Sequence, residues 1–128
     1  MTTFNGKVAL VTGAGSGLGE ATAKDLAAHG AKIIAADINL AAAERVAGEI
    51  GESNGEAFAF EMDASTRADN KAAVEFAVEK LGALHLAVNN AGINGPGAKV
   101  GEMDLDAWDR VIQLNLNGVV YGNHYQIA

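Results

Sequence analysis

The stretch Val11-Thr12-Gly13-Ala14-Gly15-Ser16-Gly17-Leu18-Gly19 limits this chain more than any other. Before it, Lys7-Val8-Ala9-Leu10 is an apolar, β-branched run that reads as a buried strand. After it, Glu20 to His29 reads as a helix. A helix N-terminus presents unpaired N–H groups and the positive end of a dipole, which together favour a phosphate. Gly13 would let the chain turn sharply and Gly17 would let backbone approach a pyrophosphate with no Cβ between them. Gly19 would let the helix pack close to the strand. The spacing is T-G-x-x-x-G-x-G, which is neither G-x-G-x-x-G nor a P-loop, because no Lys-Ser or Lys-Thr comes after it. From the cluster alone, a glycine-rich structural turn reads equally well.

The rest of the chain decides between these readings. At 128 residues it is one domain's worth, with 49% apolar residues and room for a core. A net charge of −7 and the lack of a basic patch speak against a nucleic-acid partner. With no cysteine, disulfides and thiolate metal sites are excluded. No apolar run approaches membrane-spanning length and the first strand begins by Lys7, so no membrane partner or signal peptide is expected, and a cytoplasmic protein is.

Along the chain, Gly19, Ala23, Leu26, Ala27 and Gly30 fall on one helical face, and Gly30 ends that helix. Lys32 to Asp37 is a second strand, apolar from Ile33 to Ala36, as expected of a strand covered by helices on both faces. Asn39 caps a second helix with a buried stripe of Ala43, Val46, Ala47 and Ile50, and residues 51–55 form a loop. Ala57 to Met62 is a third strand. Ser65 or Thr66 starts a third helix with Val74, Ala77, Val78 and Leu81 inward, stopped by Gly82. Leu84 to Val88 is a fourth strand. Asp104 or Asp106 opens a last helix whose apolar face carries Trp108, Val111, Ile112, Leu116 and Val119, with Asn115 on the same face. Read by itself, Asn115 is a structural amide satisfied by neighbouring backbone, since an unpaired buried amide costs about 1–3 kcal/mol. The alternation of strands and helices reads as successive βαβ units in a parallel α/β sheet.

Four features then stand at strand carboxyl ends, where open parallel sheets bind ligands: Thr12 to Gly19, Asp37, Asp63, and Asn89-Asn90-Ala91-Gly92. Asp37 lies 18 residues beyond Gly19, near the interval at which a carboxylate reaches the ribose of an adenine dinucleotide. Asp37 alone could be a solvated loop acid, and Asp63 alone a capping acid. Jointly the four point to a dinucleotide site.

These residues resemble the short-chain dehydrogenase/reductase family over the whole chain. The cofactor motif matches Thr12, Gly13, Gly17 and Gly19, the N-N-A-G motif matches Asn89 to Gly92, and a helix signature matches Trp108, Asn115 and Gly118. The resemblance implies a Rossmann-type doubly wound sheet of strand order 3-2-1-4, and NAD as cofactor. It implies a cofactor site built from Gly13, Gly15, Ser16, Gly17, Leu18, Gly19, Asp37, Ile38, Asp63, Ala64, Asn90, Ala91 and Gly92. By that resemblance Asp37 holds the adenosine ribose and repels a 2′-phosphate. Ser16 and Ile38 stand where NADP-users of the family often place a basic residue. Asn115 becomes the catalytic asparagine, which reverses its structural reading. An alcohol or carbonyl small molecule is the implied substrate, and a homo-oligomer the implied assembly.

The chain departs from the family in its catalytic residues. Members carry a serine after the next strand and a Tyr-x-x-x-Lys on the helix beyond. Tyr121 and Tyr125 are the only tyrosines here, and neither has a lysine four residues on. His29, His85 and His124 fall on different elements and offer no metal cluster or alternative triad. The expectation is therefore the NAD-binding half of such an oxidoreductase, spanning residues 1–128 and cut before its fifth strand. The alternative is a free-standing, non-catalytic dinucleotide-binding module.

Overall fold

The computed structural model describes residues 3–127. Four parallel strands, β1 (Val8–Thr12), β2 (Lys32–Asp37), β3 (Ala57–Glu61) and β4 (Leu86–Val88), form one sheet in the order β3-β2-β1-β4. Between them run α1 (Gly17–Ala28), α2 (Leu40–Glu52) and α3 (Arg67–Leu81). After β4 come a 3₁₀ turn (Val100–Glu102), α4 (Leu105–Ile112), a π-helical turn (Gln113–Asn117) and α5 (Gly118–Ile127).

The two central strands are apolar because both of their faces are covered. Ala9, Val11, Ile33 and Ala35 point to one side, where Ala23, Val46 and Ile50 of α1 and α2 pack on them. Leu10, Ile34 and Ala36 point to the other, against Met62 and the Ala73 and Ala77 face of α3. Register is continuous across the sheet, with Thr12 beside Ala36 and Asp37 beside Glu61. The carboxyl ends of β1, β2 and β3 therefore finish level, and that places the site.

The caps have their causes in the sequence. Asn39 accepts from the N–H of Ala42, Thr66 from that of Asp69, and Asp104 from those of Asp106 and Ala107, so each closes the start of its helix with a side-chain oxygen. Gly82, at φ 83°, ends α3 in the left-handed region.

Several boundaries differ from the sequence reading. The first helix starts at Gly17 instead of Glu20, so the glycine motif runs directly into it. The second continues through Gly51 and Glu52 into the expected loop. On α3 the buried residues are Asn70, Ala73 and Ala77, and Leu81 packs on the core as expected, but Val78 is 48% exposed. The helix lies against α5, where small residues permit close approach: a Cβ on Gly122 would stand 3.2 Å from Asn70 Oδ1. Leu84 and His85 fall outside β4. His85 Nδ1 accepts the N–H of Val8 at 2.9 Å, so a side chain takes over that ladder position. The last helix is interrupted by the π turn, which breaks the 3.6-residue periodicity that defines its expected apolar face. Trp108, which precedes the turn, is 44% exposed, and Leu114, absent from that stripe, packs on the core.

Candidate functional site

At the carboxyl ends of the strands lies a cavity of about 710 Å³. It sits where the strand order reverses between β1 and β4, the place at which doubly wound sheets bind ligands. Its floor comes from Thr12 and Gly13 after β1, from Ala36, Asp37 and Ile38 at the end of β2, and from Met62, Asp63 and Ala64 after β3. Ser16, Gly17 and Leu18 at the start of α1 form one wall, and Asn90 to Asn94 with Leu114 form the other.

The start of α1 faces the cavity. Ser16, at the N-cap with φ −163°, makes no side-chain cap bond, in contrast to the capped starts of α2, α3 and α4. The first N–H groups of α1 thus have no side-chain acceptor from that residue. Gly17 has φ +55° with nothing within 4 Å of a built Cβ. Gly13 has φ +64°, and a Cβ there would stand 3.0 Å from both Ala91 Cα and Asn90 Nδ2. At Gly19 a Cβ would collide with the carbonyl oxygen of Gly13 and stand 2.7 Å from Asn90 Nδ2. The start of α1 therefore rests directly on the turn after β1.

Thr12 ties β1 to the segment after β4. Its hydroxyl oxygen accepts the N–H groups of Asn90 at 2.9 Å and Ala91 at 3.0 Å, and its O–H donates to the carbonyl of Val88. Asn90 Nδ2 in turn donates to the carbonyl of Gly13. Asp37 is fixed by two backbone donors: Gly15 N–H to Oδ2 at 2.8 Å and Asn39 N–H to Oδ1 at 2.9 Å. Asp63 Oδ1 accepts from the N–H and hydroxyl of Ser65, so that carboxylate is turned partly toward its own loop.

Asn115 stands in the π turn and is exposed. Its Oδ1 accepts the N–H of Ile93 at 3.0 Å and its Nδ2 donates to the carbonyl of Ile93 at 2.9 Å. The amide clamps one residue of the cavity wall at both its N–H and its carbonyl. π turns inside helices are frequent at functional positions, where the extra residue re-aims the side chains beside it.

Of the thirteen cofactor positions expected from the sequence, Gly15 and Gly19 do not line the cavity but support residues that do, and Asn115 reaches it through Ile93. Thr12, Ala36, Met62, Ile93, Asn94 and Leu114 line it as well. Thr12 has a signal in the sequence, as a hydroxyl ending an otherwise apolar strand. Leu114 has none, since the π turn alone brings it there. Tyr121 and Tyr125 lie elsewhere, around a hollow of about 220 Å³ with Arg67 and His124. Hydrogen bonds from Gln113 and then Arg67 hold the Tyr121 phenol below its usual range. The Arg67 guanidinium lies 5.3 Å from the ring centroid of Tyr121.

A family model described as short chain dehydrogenase matches residues 7–125. The chain belongs to the short-chain dehydrogenase family. Over 124 residues it is 51% identical to a cyclohexanol dehydrogenase of Acinetobacter sp. (strain SE19), covering 97% of this chain and 49% of that one. Among solved structures, a short chain dehydrogenase/reductase from Burkholderia phymatum in complex with NAD superposes with a TM-score of 0.92 at 36% identity, covering 98% of this chain and 44% of that one. A 3-ketoacyl-(acyl-carrier-protein) reductase from Brucella melitensis complexed with NADH superposes with a TM-score of 0.91 at 44% identity, covering 98% and 50%. The chain thus spans about half the length of these relatives. Its fold is the Rossmann-type sheet expected from the sequence, in the same strand order.

Proposed function

We propose that this chain is the NAD-binding part of a short-chain oxidoreductase acting on an alcohol or carbonyl small molecule. The observation that carries the reading is the cradle at the start of α1, with a helix N-terminus left without a side-chain cap beside a positive-φ glycine that opens on the cavity. Two solved members of similar fold hold NAD or NADH. When bound, NAD supplies two-electron redox chemistry at its nicotinamide.

This chain's residues then have distinct tasks. The N–H groups at Gly17 and beyond receive the pyrophosphate charge, which the helix dipole favours. Asp37, with each oxygen already holding one backbone donor, keeps lone pairs for ribose hydroxyls and disfavours a 2′-phosphate. Asp63, Ala64 and Ile38 border the adenine. Asn90, Ala91 and Gly92 run along the cofactor toward the end where Asn115 fixes the wall and orders the site for proton movement.

Moving the substrate's hydroxyl proton needs a positioned acid/base. No Tyr-x-x-x-Lys occurs in these 128 residues. Binding without turnover is therefore the expected behaviour of the 128-residue polypeptide. Absorbance of NADH, monitored during incubation with NAD and secondary alcohols such as cyclohexanol, tests this. Turnover at rates typical of enzymes would contradict the assignment of roles.

A further inference from the structure

Next to the cavity, four charged side chains of alternating sign join α1 to α2. Lys24 Nζ donates to Glu20 at 2.6 Å and to Glu49 at 2.8 Å. Arg45 Nη1 donates to Glu49 at 2.8 Å, and its Nη1 and Nη2 hold both oxygens of Glu20 at 3.2 and 2.8 Å. Hydrogen bonds from Arg45 and then Lys24 bring the Glu20 carboxyl down to about 2, so it is ionised near neutral pH. Exposed pairs of this kind add little to stability. Arg45, however, has a further partner: Nη2 also donates to the carbonyl of Gly15 at 3.0 Å.

Gly15 is the residue whose N–H holds Asp37 Oδ2 at 2.8 Å. It is thus gripped at its carbonyl by α2 and at its N–H by the end of β2. The fit leaves no room for a side chain, since a Cβ on Gly15 would stand 2.8 Å from both Ala42 Cβ and Asp37 Oδ2. Ser16 and Gly17, the next two residues, line the cavity.

We propose that Arg45, oriented by Glu20, is a positioning residue for the nucleotide site, fixing Gly15 and through it the Asp37 carboxylate, and so setting affinity for the adenosine half of the dinucleotide. The proposal rests on the dinucleotide reading above. Arginine suits the task because its planar fork of five donors reaches two carboxylates and a carbonyl at once. A lysine there could keep a carboxylate, but a single ammonium cannot span all three acceptors.

The test uses calorimetric binding of ADP-ribose to the full chain, with melting temperatures measured alongside. Arg45→Lys should melt with the wild type and bind ADP-ribose about five- to tenfold more weakly, the effect of one lost hydrogen bond. Glu20→Gln, which weakens one of the arginine's two carboxylate anchors, should shift affinity in the same direction. The decisive readout is the cycle with Asp37→Ala: because Arg45 acts through Gly15 on Asp37, the two losses should be less than additive. Wild-type affinity in Arg45→Lys, or fully additive losses, would overturn the positioning role. Failure of the wild type to bind ADP-ribose would instead overturn the dinucleotide reading itself.

Discussion

Substituting Gly19 and Gly17 by alanine should separate packing from binding within one motif. At Gly19 the added Cβ would lie 2.6 Å from the carbonyl carbon of Gly13 and collide with its oxygen. Ordinary contact is about 3.5–4.0 Å, so the start of α1 must withdraw by about 1 Å. Overpacking typically costs about 1–3 kcal/mol. The obstacle here is backbone, which cannot rotate away, so the upper end of about 3 kcal/mol is expected. With a urea slope of about 1–3 kcal/mol per molar, the unfolding midpoint should fall by about 1 M or more. At Gly17 nothing lies within 4 Å, and the cost is that of holding alanine at φ +55°, about 1–2 kcal/mol. Gly17→Ala should therefore unfold closer to the wild type yet lose NADH affinity, because its methyl would stand where the proposed site brings backbone against the pyrophosphate. Urea titration with calorimetric NADH binding reads both. A Gly19→Ala protein with the wild-type midpoint would refute the close-approach argument.

The Glu20 carboxyl is depressed from 4.5 to about 2, so its contribution to stability is full above pH 4.5 and is lost as pH falls toward 2. In pH-dependent denaturation, Glu20→Gln should be less sensitive than the wild type across that window, and parallel curves would show that the pair contributes nothing. Asn115→Ala removes both bonds to Ile93, and in a catalytically active protein containing this chain it should lower kcat strongly while NAD affinity, measured by calorimetry, stays near wild type. β4 pairs with β1 along one side only among the described residues, while Trp108 and Leu116 are 44% and 56% exposed. Exposed edges and apolar faces recruit other chains. The isolated 128-residue chain should therefore dimerise or precipitate, and a monodisperse monomer at micromolar concentration in light scattering would contradict this.

Where sequence and structure agree, the cause is local. The bounds of β2, the caps at Asn39, Thr66 and Asp104, and the stop at Gly82 each depend on residues within a few positions of one another. The sheet order rests on the family resemblance, and the level strand ends then collect Gly13, Asp37, Asp63 and Asn90 around one cavity. Periodicity is blind to a change of period. The π turn at Gln113–Asn117 brings Leu114 to the cavity and leaves Leu116 exposed, although both lie in a run that reads as plain helix. The pattern of α3 alone turns Val78 inward, whereas packing against α5 selects the narrower face of Asn70, Ala73 and Ala77. Arg45 carries no sequence signal, because its partners Gly15 and Glu20 lie 30 and 25 residues away and meet it only once α1 and α2 are side by side.

Calorimetric titration with NAD and NADP, on the wild type and on Asp37→Ala, reads whether this cavity takes a dinucleotide and which one. A 2′-phosphate about 4 Å from the Asp37 carboxylate is disfavoured by about 4 kcal/mol at an effective dielectric near 20. Neither Ser16 nor Ile38 offers a compensating positive charge. Saturable NAD binding is expected, with much weaker NADP binding and a narrowed gap in Asp37→Ala. NADP binding equal to or tighter than NAD in the wild type, or no binding of either, would contradict the proposed NAD site.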